Sequence, residues 1–141
     1  MLQCPTMQKD FDAWNAEKKR LDARTSFAYV HEREIWWCSL GLNIGHEEDG
    51  KNEKFERPVL VLRKFNRHIV LAVPITTNIK TNSYYFLFSH NRDQFAVMIS
   101  QIRLLSTNRF TRRIRKINYN LFQKILLRIS TSVFHQTNLT S

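Results

Sequence analysis

The sequence predicts an α+β fold that is mainly β: a small antiparallel barrel with an N-terminal helical extension and a C-terminal helix. Three observations carry that expectation. Short runs rich in β-branched and aromatic residues recur between Arg33 and Ile117, each bounded by turn residues. Apolar spacing of three and four is confined to the two ends of the chain. At 141 residues, the chain is too short for an eight-fold α/β barrel or a full doubly wound dinucleotide domain. With 3 Gly and 3 Pro it is neither collagenous nor low in complexity.

The elements follow in order. Residues 6–24 read as a helix capped by Thr6, with Phe11, Trp14, Lys18 and Leu21 on one face and charge around the rest. Glu34 to Leu40 reads as a strand that stops at Gly41. A polar loop, Asn43 to Glu56, ends at Arg57-Pro58, because a residue before proline is driven to extended backbone. Val59–Leu62 and His68–Pro74 make a hairpin through the turn Lys64–Arg67. Ser83–Phe88 and Ala96–Ile99 are two further strands around Ser89–Asp93. A short strand at Ile114–Ile117 then precedes a helix capped by Asn118, with Phe122, Ile125, Leu126 and Ile129 as its core stripe. This divides the chain into an extension (residues 1–32), a barrel domain (33–130) and a polar, frayed tail (131–141).

Charge gives the first functional indication. Lys plus Arg total 22 against 12 acids, a net charge of +10, which points to an anionic partner: nucleic acid, an acidic protein or an anionic membrane surface. Arg103, Arg109, Arg112, Arg113 and Arg115 form an acid-free basic stretch, while His46-Glu47-Glu48-Asp49 is an acidic cluster. Taken alone, each would be an ordinary solvated surface. Cys4 and Cys38 make no disulfide framework and fit a reducing, cytoplasmic setting, with Cys38 a small core residue. No signal peptide or bilayer-spanning run is legible, so the expectation is a protein without a membrane role.

Phosphate-loop, dinucleotide and zinc-spacing motifs are absent, and acids near the strands are too few for a two-metal centre. The sequence therefore calls for no metal and no cofactor. What remains is a juxtaposition. The hairpin brings Arg57 and Thr76 to its open end, beside the loop Gly45-His46-Glu47-Glu48-Asp49-Gly50. A guanidinium, hydroxyls, an imidazole and carboxylates around one mouth suit phosphate chemistry. The plain alternative for Arg57 is an ion pair with Glu47 or Glu48. Trp36, Trp37, Phe86 and Phe88 read as barrel core or dimer face before stacking platforms.

Glu34-Ile35-Trp36-Trp37, Gly45-His46-Glu47 with Gly50, Arg57-Pro58-Val59-Leu60-Val61, Val73-Pro74-Ile75-Thr76-Thr77 and Ser100-Gln101-Ile102-Arg103 occur in that order. Together they resemble the MazF/PemK (Kid) toxins of type II toxin–antitoxin systems. The resemblance implies an SH3-like barrel of the MazF/CcdB type, a homodimer, and metal-independent cleavage of single-stranded RNA to 2′,3′-cyclic phosphate and 5′-hydroxyl ends. It also implies neutralisation by an acidic antitoxin, with DNA contacted only through the antitoxin complex. Arg57 and Thr76 match the family's principal catalytic residues, and His46 and Glu47 its active-site loop. Thr77, Ser100, Gln101 and Arg103 are the implied RNA contacts, and Arg112 and Arg113, with Arg109, would steer RNA or antitoxin electrostatically. Two departures stand out: an insertion, Lys51 to Glu56, and Met98 and Ser100 where PemK-like members carry Arg and Asp, so no acid–base role transfers there.

The chemistry assigns roles independently. Strand scission needs a deprotonated 2′-hydroxyl, a balanced phosphorane charge and a protonated leaving oxygen. Arg57 suits charge balance and is a conceivable donor, but it is a poor base because a guanidinium stays protonated. Thr76 suits oxyanion donation, and Glu47 or His46 proton acceptance. A competing expectation on the same barrel is a non-catalytic toxin or binding module of the gyrase-poison kind, since fold alone does not fix function.

Overall fold

The computed structural model describes residues 8–80, 82–90 and 92–134. Two helices bracket seven antiparallel strands. In chain order they are α1 (Phe11–Asp22), β1 (Glu34–Ser39), β2 (Glu56–Lys64), β3 (Ile69–Thr76), β4 (Tyr85–His90), β5 (Asp93–Met98), β6 (Arg103–Ser106), β7 (Phe110–Lys116) and α2 (Tyr119–Val133).

Strand β3 organises the molecule. One edge pairs with β2, from Val59 opposite Pro74 to Lys64 opposite Val70. Its other edge is divided: Ile69–Ala72 pair with β6, whereas Ile75 and Thr76 pair with β5. Pro74, which has no N–H to donate, sits where β3 passes from one partner to the other. Strands β6, β3, β2, β1 and β7 curl around one buried cluster that includes Trp36, Cys38, Val59, Val61, Val70, Ala72, Leu105 and Phe110. A 3-10 turn, Thr107–Arg109, carries β6 directly into β7, so the ends of this curled sheet are consecutive in sequence. The opposite face of the same strands presents Ile35, Leu60, Leu62, Val73 and Ile75 to the β4–β5 hairpin and to α2. Neighbours such as Leu60 and Val61 thus enter different cores, which is why these strands read as continuous apolar runs rather than alternating ones.

The helices obey their end signals with one shift. Asn118 caps α2 by accepting the Leu121 N–H at 2.8 Å, and Phe122, Ile125 and Ile129 are buried. Helix α1 begins at Phe11, not within residues 6–10: the Asp10 carboxylate accepts the Ala13 N–H at 3.0 Å. Thr6 lies outside the described residues. Of the expected stripe, Trp14 and Leu21 are buried, while Lys18 and Phe11 face solvent. Trp14 fits against Gly41, whose φ of +82° ends the β1 segment; a Cβ there would lie 2.1 Å from the indole ring.

Strand boundaries differ from expectation where polar residues take part. Glu56 and Arg57 belong to β2, Thr76 to β3 and Lys64 to β2 rather than to the turn. β7 starts at Phe110, four positions before the expected strand, with Arg112 and Arg113 inside it. β6 was not anticipated; its sequence Arg-Leu-Leu-Ser offers one buried residue, Leu105, and no apolar run. α2 continues past Ser130 to Val133 and is closed by Phe134, whose N–H donates to the Ser130 carbonyl; the rest of the expected tail, residues 135–141, falls outside the described residues. Among the described residues no helix is long and apolar enough to cross a membrane.

Candidate active site

Arg57 and Thr76 face one cavity of about 480 Å³, walled by Ile35, Trp37, Pro58, Ile75, Phe88, Phe95 and Ile114. The register explains the meeting. Val59 lies opposite Pro74, so the same count two residues further sets Arg57 across from Thr76 at the end of the β2–β3 pair. Both are about nine-tenths buried, at 8% and 9% exposure. The Thr76 Oγ1 accepts the Asn78 N–H at 3.0 Å, which fixes the hydroxyl and leaves its proton free to donate. Thr77 and Asn78 complete that rim.

The Arg57 guanidinium is held at two corners. Its Nε–H donates to the Asp49 carbonyl at 3.0 Å, and Nη2 lies 2.6 Å from the Glu48 Oε1. A guanidinium has five N–H donors, so three remain without a partner among the described residues. The plain alternative weighed from sequence, an ion pair, is therefore present, and its acid is Glu48.

The loop between β1 and β2 is shaped by its own hydrogen bonds. The Asp49 carboxylate accepts the Asn43 N–H at 2.6 Å, and the Asn43 amide donates to the Glu48 carbonyl at 2.8 Å. Gly50 N–H reaches the Gly41 carbonyl at 2.8 Å. A Cβ on Gly50 would collide with the Phe55 carbonyl at 1.6 Å, so this close passage requires glycine. The inserted segment is a tight turn: Lys51 and Glu56 exchange both backbone hydrogen bonds, at 2.8 and 2.7 Å, with Asn52 and Phe55 at positive φ.

The remaining expected residues lie elsewhere. His46, Glu47, Ser100, Gln101 and Arg103 line a second, more polar groove of about 520 Å³, with Glu48 on its wall. Gln101 pins the loop, its Oε1 accepting the Glu48 N–H at 3.0 Å. The Glu47 carboxylate turns back to accept the Ile44 N–H at 3.0 Å. Arg112 lies over the Trp37 ring at 4.9 Å, with its Nη1 3.9 Å from the Glu56 carboxylate. Arg113 lines neither cavity; its Nε is 3.1 Å from Glu34 Oε2. That carboxylate is buried and also accepts from the His31 backbone and the Trp36 indole.

Sequence reasoning gave Glu48 only as an ion-pair partner for Arg57, and Arg115 only as a member of the basic stretch. Glu48 is the acid in contact with Arg57, and it lines the second groove. Choosing it over Glu47 required the Ile44–Glu47 turn, which carries no sequence signature. Arg115 joins Arg57 and Lys51 in the lining of the Arg57 cavity, 5.3 Å above the Phe95 ring, and its Nε–H is buried without an acceptor among the described residues. Burial draws its pKa down from the ordinary value while the Asp93 carboxylate opposes the shift. Its signal was the basic stretch, but the sequence did not say which arginines turn inward. Arg109 is drawn down first by burial and then by Arg103; its Nη1 donates to the Ser39 and Leu40 carbonyls at 3.2 Å each and so serves the scaffold.

The basic residues Lys51, Arg57 and Arg115, the Thr76 hydroxyl, Glu56 in the lining and the adjoining Glu48 surround an apolar-walled cavity that can bind a phosphodiester and stabilise charge growing on it. No curated protein matches the chain significantly. Solved structures share its fold. MazF from Deinococcus radiodurans superposes with a TM-score of 0.62 at 20% identity, covering 76% of this chain and 99% of that one. The toxin MazF-mt6 of Mycobacterium tuberculosis gives 0.56 at 15% identity over 74% and 100%. An endoribonuclease from Mycobacterial species in complex with its cognate antitoxin gives 0.56 at 14% identity over 77% and 98%. A family model described as the PemK-like, MazF-like toxin of type II toxin–antitoxin systems matches residues 31–133, the whole span from β1 to α2. The chain belongs to the PemK-like, MazF-like toxin family of type II toxin–antitoxin systems.

Proposed function

We propose that this toxin is a metal-independent endoribonuclease that cuts single-stranded RNA to 2′,3′-cyclic phosphate and 5′-hydroxyl ends. The supporting observation is the shared cavity of Arg57 and Thr76, with Arg115 on its wall. Arg57 and Arg115 balance the charge of the phosphorane and hydrogen-bond the departing 5′-oxygen, which takes its proton from water as the P–O bond breaks, and the Thr76 hydroxyl donates to a non-bridging oxygen. The phosphate competes with Glu48 for the Arg57 guanidinium. The carboxylate so released accepts the 2′-hydroxyl proton. Sequence had offered Glu47 or His46 for that step; contact with Arg57 favours Glu48, and His46 and Glu47 instead line the groove for the neighbouring nucleotide, with Ser100, Gln101 and Arg103. Arg112 over Trp37 extends the cationic rim and Thr77 its polar edge, while Arg113 acts at most through its charge.

The same reading includes a homodimer in the cytoplasm and an acidic antitoxin that covers the cationic mouth. A fluorescent single-stranded RNA incubated with the protein in EDTA tests the activity. Cleavage is expected from the wild type and a loss of at least about 1,000-fold from Arg57→Ala, which removes the main charge-balancing group. An Arg57→Ala protein cutting at near wild-type rate overturns the proposal.

A further inference from the structure

Residues 8–30 lie outside the matched family span, yet Lys9 and Trp14 fasten them to the loop between β1 and β2. At the base, Trp14 is 5% exposed, stands edge-on to Phe55 at 5.5 Å, and closes over Gly41. At the top, Lys9 Nζ meets three loop oxygens: Asp49 Oδ2 at 2.9 Å, the Asn43 carbonyl at 2.5 Å and the Gly45 carbonyl at 3.1 Å. Asp49 is the residue whose carbonyl accepts the Arg57 Nε–H.

We propose that Lys9 is a positioning residue for the active site: by holding Asp49 and gathering the loop carbonyls, it aligns the Arg57 guanidinium that the preceding section assigns to the phosphate. The inference rests on that nuclease reading. Two physical consequences follow if the ammonium is removed. Three oxygens, one of them charged, lose a common donor, and the loop is free to shift. The Asp49 carboxylate, no longer neutralised, adds an uncompensated negative charge on the residue that holds Arg57, which weakens the pull of that guanidinium on phosphate. The Lys9 and Asp49 side chains are 25% and 26% exposed, so the pair itself adds little to stability. Geometry at a reacting centre is far more sensitive, because small misplacements of a catalytic group cost large factors in rate.

That contrast defines the experiment, run on the full chain. Wild type, Lys9→Met and Lys9→Arg are compared in RNA cleavage kinetics, thermal melting and the solvent exchange of the Arg57 Nε–H by ¹H–¹⁵N spectroscopy. Lys9→Met is expected to lower kcat about tenfold with KM changed by less than about twofold. Its melting temperature should stay within about 4 °C of wild type. The Arg57 Nε–H should exchange about tenfold faster, reporting a weakened bond to Asp49. Lys9→Arg, which keeps the charge, should recover most of the turnover. Unchanged kcat or unchanged Nε–H exchange in Lys9→Met overturns the proposal. A loss confined to KM does so as well, since it makes Lys9 an RNA contact, as does a rate loss that follows melting temperature without rescue by Lys9→Arg. If the wild type leaves RNA intact, the nuclease reading fails, and the Nε–H exchange still decides whether Lys9 positions Arg57.

Discussion

Thr76→Val separates chemistry from scaffolding more cleanly than any other single change. Valine keeps the branched shape that packs a side chain only 9% exposed, and it deletes the hydroxyl. The structural cost is small. The Asn78 N–H loses its acceptor at 3.0 Å, but Asn78 is exposed and water takes the vacated place. The net loss is therefore at the low end of the usual hydrogen-bond contribution, about 0.5–1 kcal/mol. For a chain of this size that lowers the melting temperature by no more than about 4 °C. The catalytic cost is larger, because removing one donor aimed at an oxyanion lowers kcat by about 10²–10³, or about 2.7–4 kcal/mol of transition-state stabilisation. Thr76→Ser, which retains the hydroxyl, should stay within about tenfold of wild type. The assay is single-turnover cleavage of an end-labelled RNA in EDTA, with melting curves on the same samples. A Thr76→Val protein that cuts within about fivefold of wild type refutes the donor role assigned to this hydroxyl.

Two other expectations address different groups. Glu48→Gln should lower turnover about 100-fold while a 2′-O-methyl RNA, which cannot react, binds at least as tightly, because the competitor for Arg57 at 2.6 Å has lost its charge; unchanged turnover removes Glu48 from the chemistry. Cys38 is wholly buried, and burial pushes its thiol up from 9.0 to about 12, with Glu56 adding to the shift and Arg109 and Arg103 opposing it. In a Cys4→Ser background the folded protein should resist thiol reagents at pH 8. Because the folded value lies above the unfolded one, the stabilisation is complete below pH 9 and falls as pH rises toward 12, by up to about 1.4 kcal/mol per unit. Urea melts at pH 8 and 10 should show wild type losing this margin relative to Cys38→Ala, and parallel losses would contradict the burial.

What the sequence made legible was whatever depends on local pattern plus a single pairing. The runs around Leu60 and Val73 announced strands, and one hairpin between them sufficed to bring Arg57 to Thr76. The Asn118 cap and the stripe Phe122, Ile125 and Ile129 required only helical periodicity. Features set by distant partners were hidden. β6 exists because the first half of β3 has a free edge, not because Arg103–Ser106 looks like a strand. Arg112 and Arg113 read as a charged surface, yet they are strand residues paired to Trp37 and Trp36 across β1. Asp10 and Thr6 are equally good caps in composition, and the docking of Trp14 on Gly41 favours the later start. Gathering the expected site residues into one mouth was too simple: the Gln101 contact draws the His46–Glu48 turn toward the second groove, so one loop serves two cavities.

The division of the site between sheet and loop has a mechanistic consequence. Arg57 and Thr76 stand on β2 and β3, strands buried on both faces, so their spacing is fixed by the two cores. Glu48 stands on a loop secured by Gln101, Asn43 and the Lys9–Asp49 contact, which are bonds that can be remade one at a time. In the free protein its carboxylate occupies the guanidinium that a phosphate needs. On the proposed mechanism, an RNA backbone that fits the cavity displaces Glu48, and only then is that carboxylate free of its cation and able to take a proton. A free phosphate would displace Glu48 equally but presents no 2′-hydroxyl, so it would inhibit without reacting. Exchange of one ion-pair partner thus ties activation of the base to occupancy of the site, and the strength of that tie depends on a loop anchored by residues before β1.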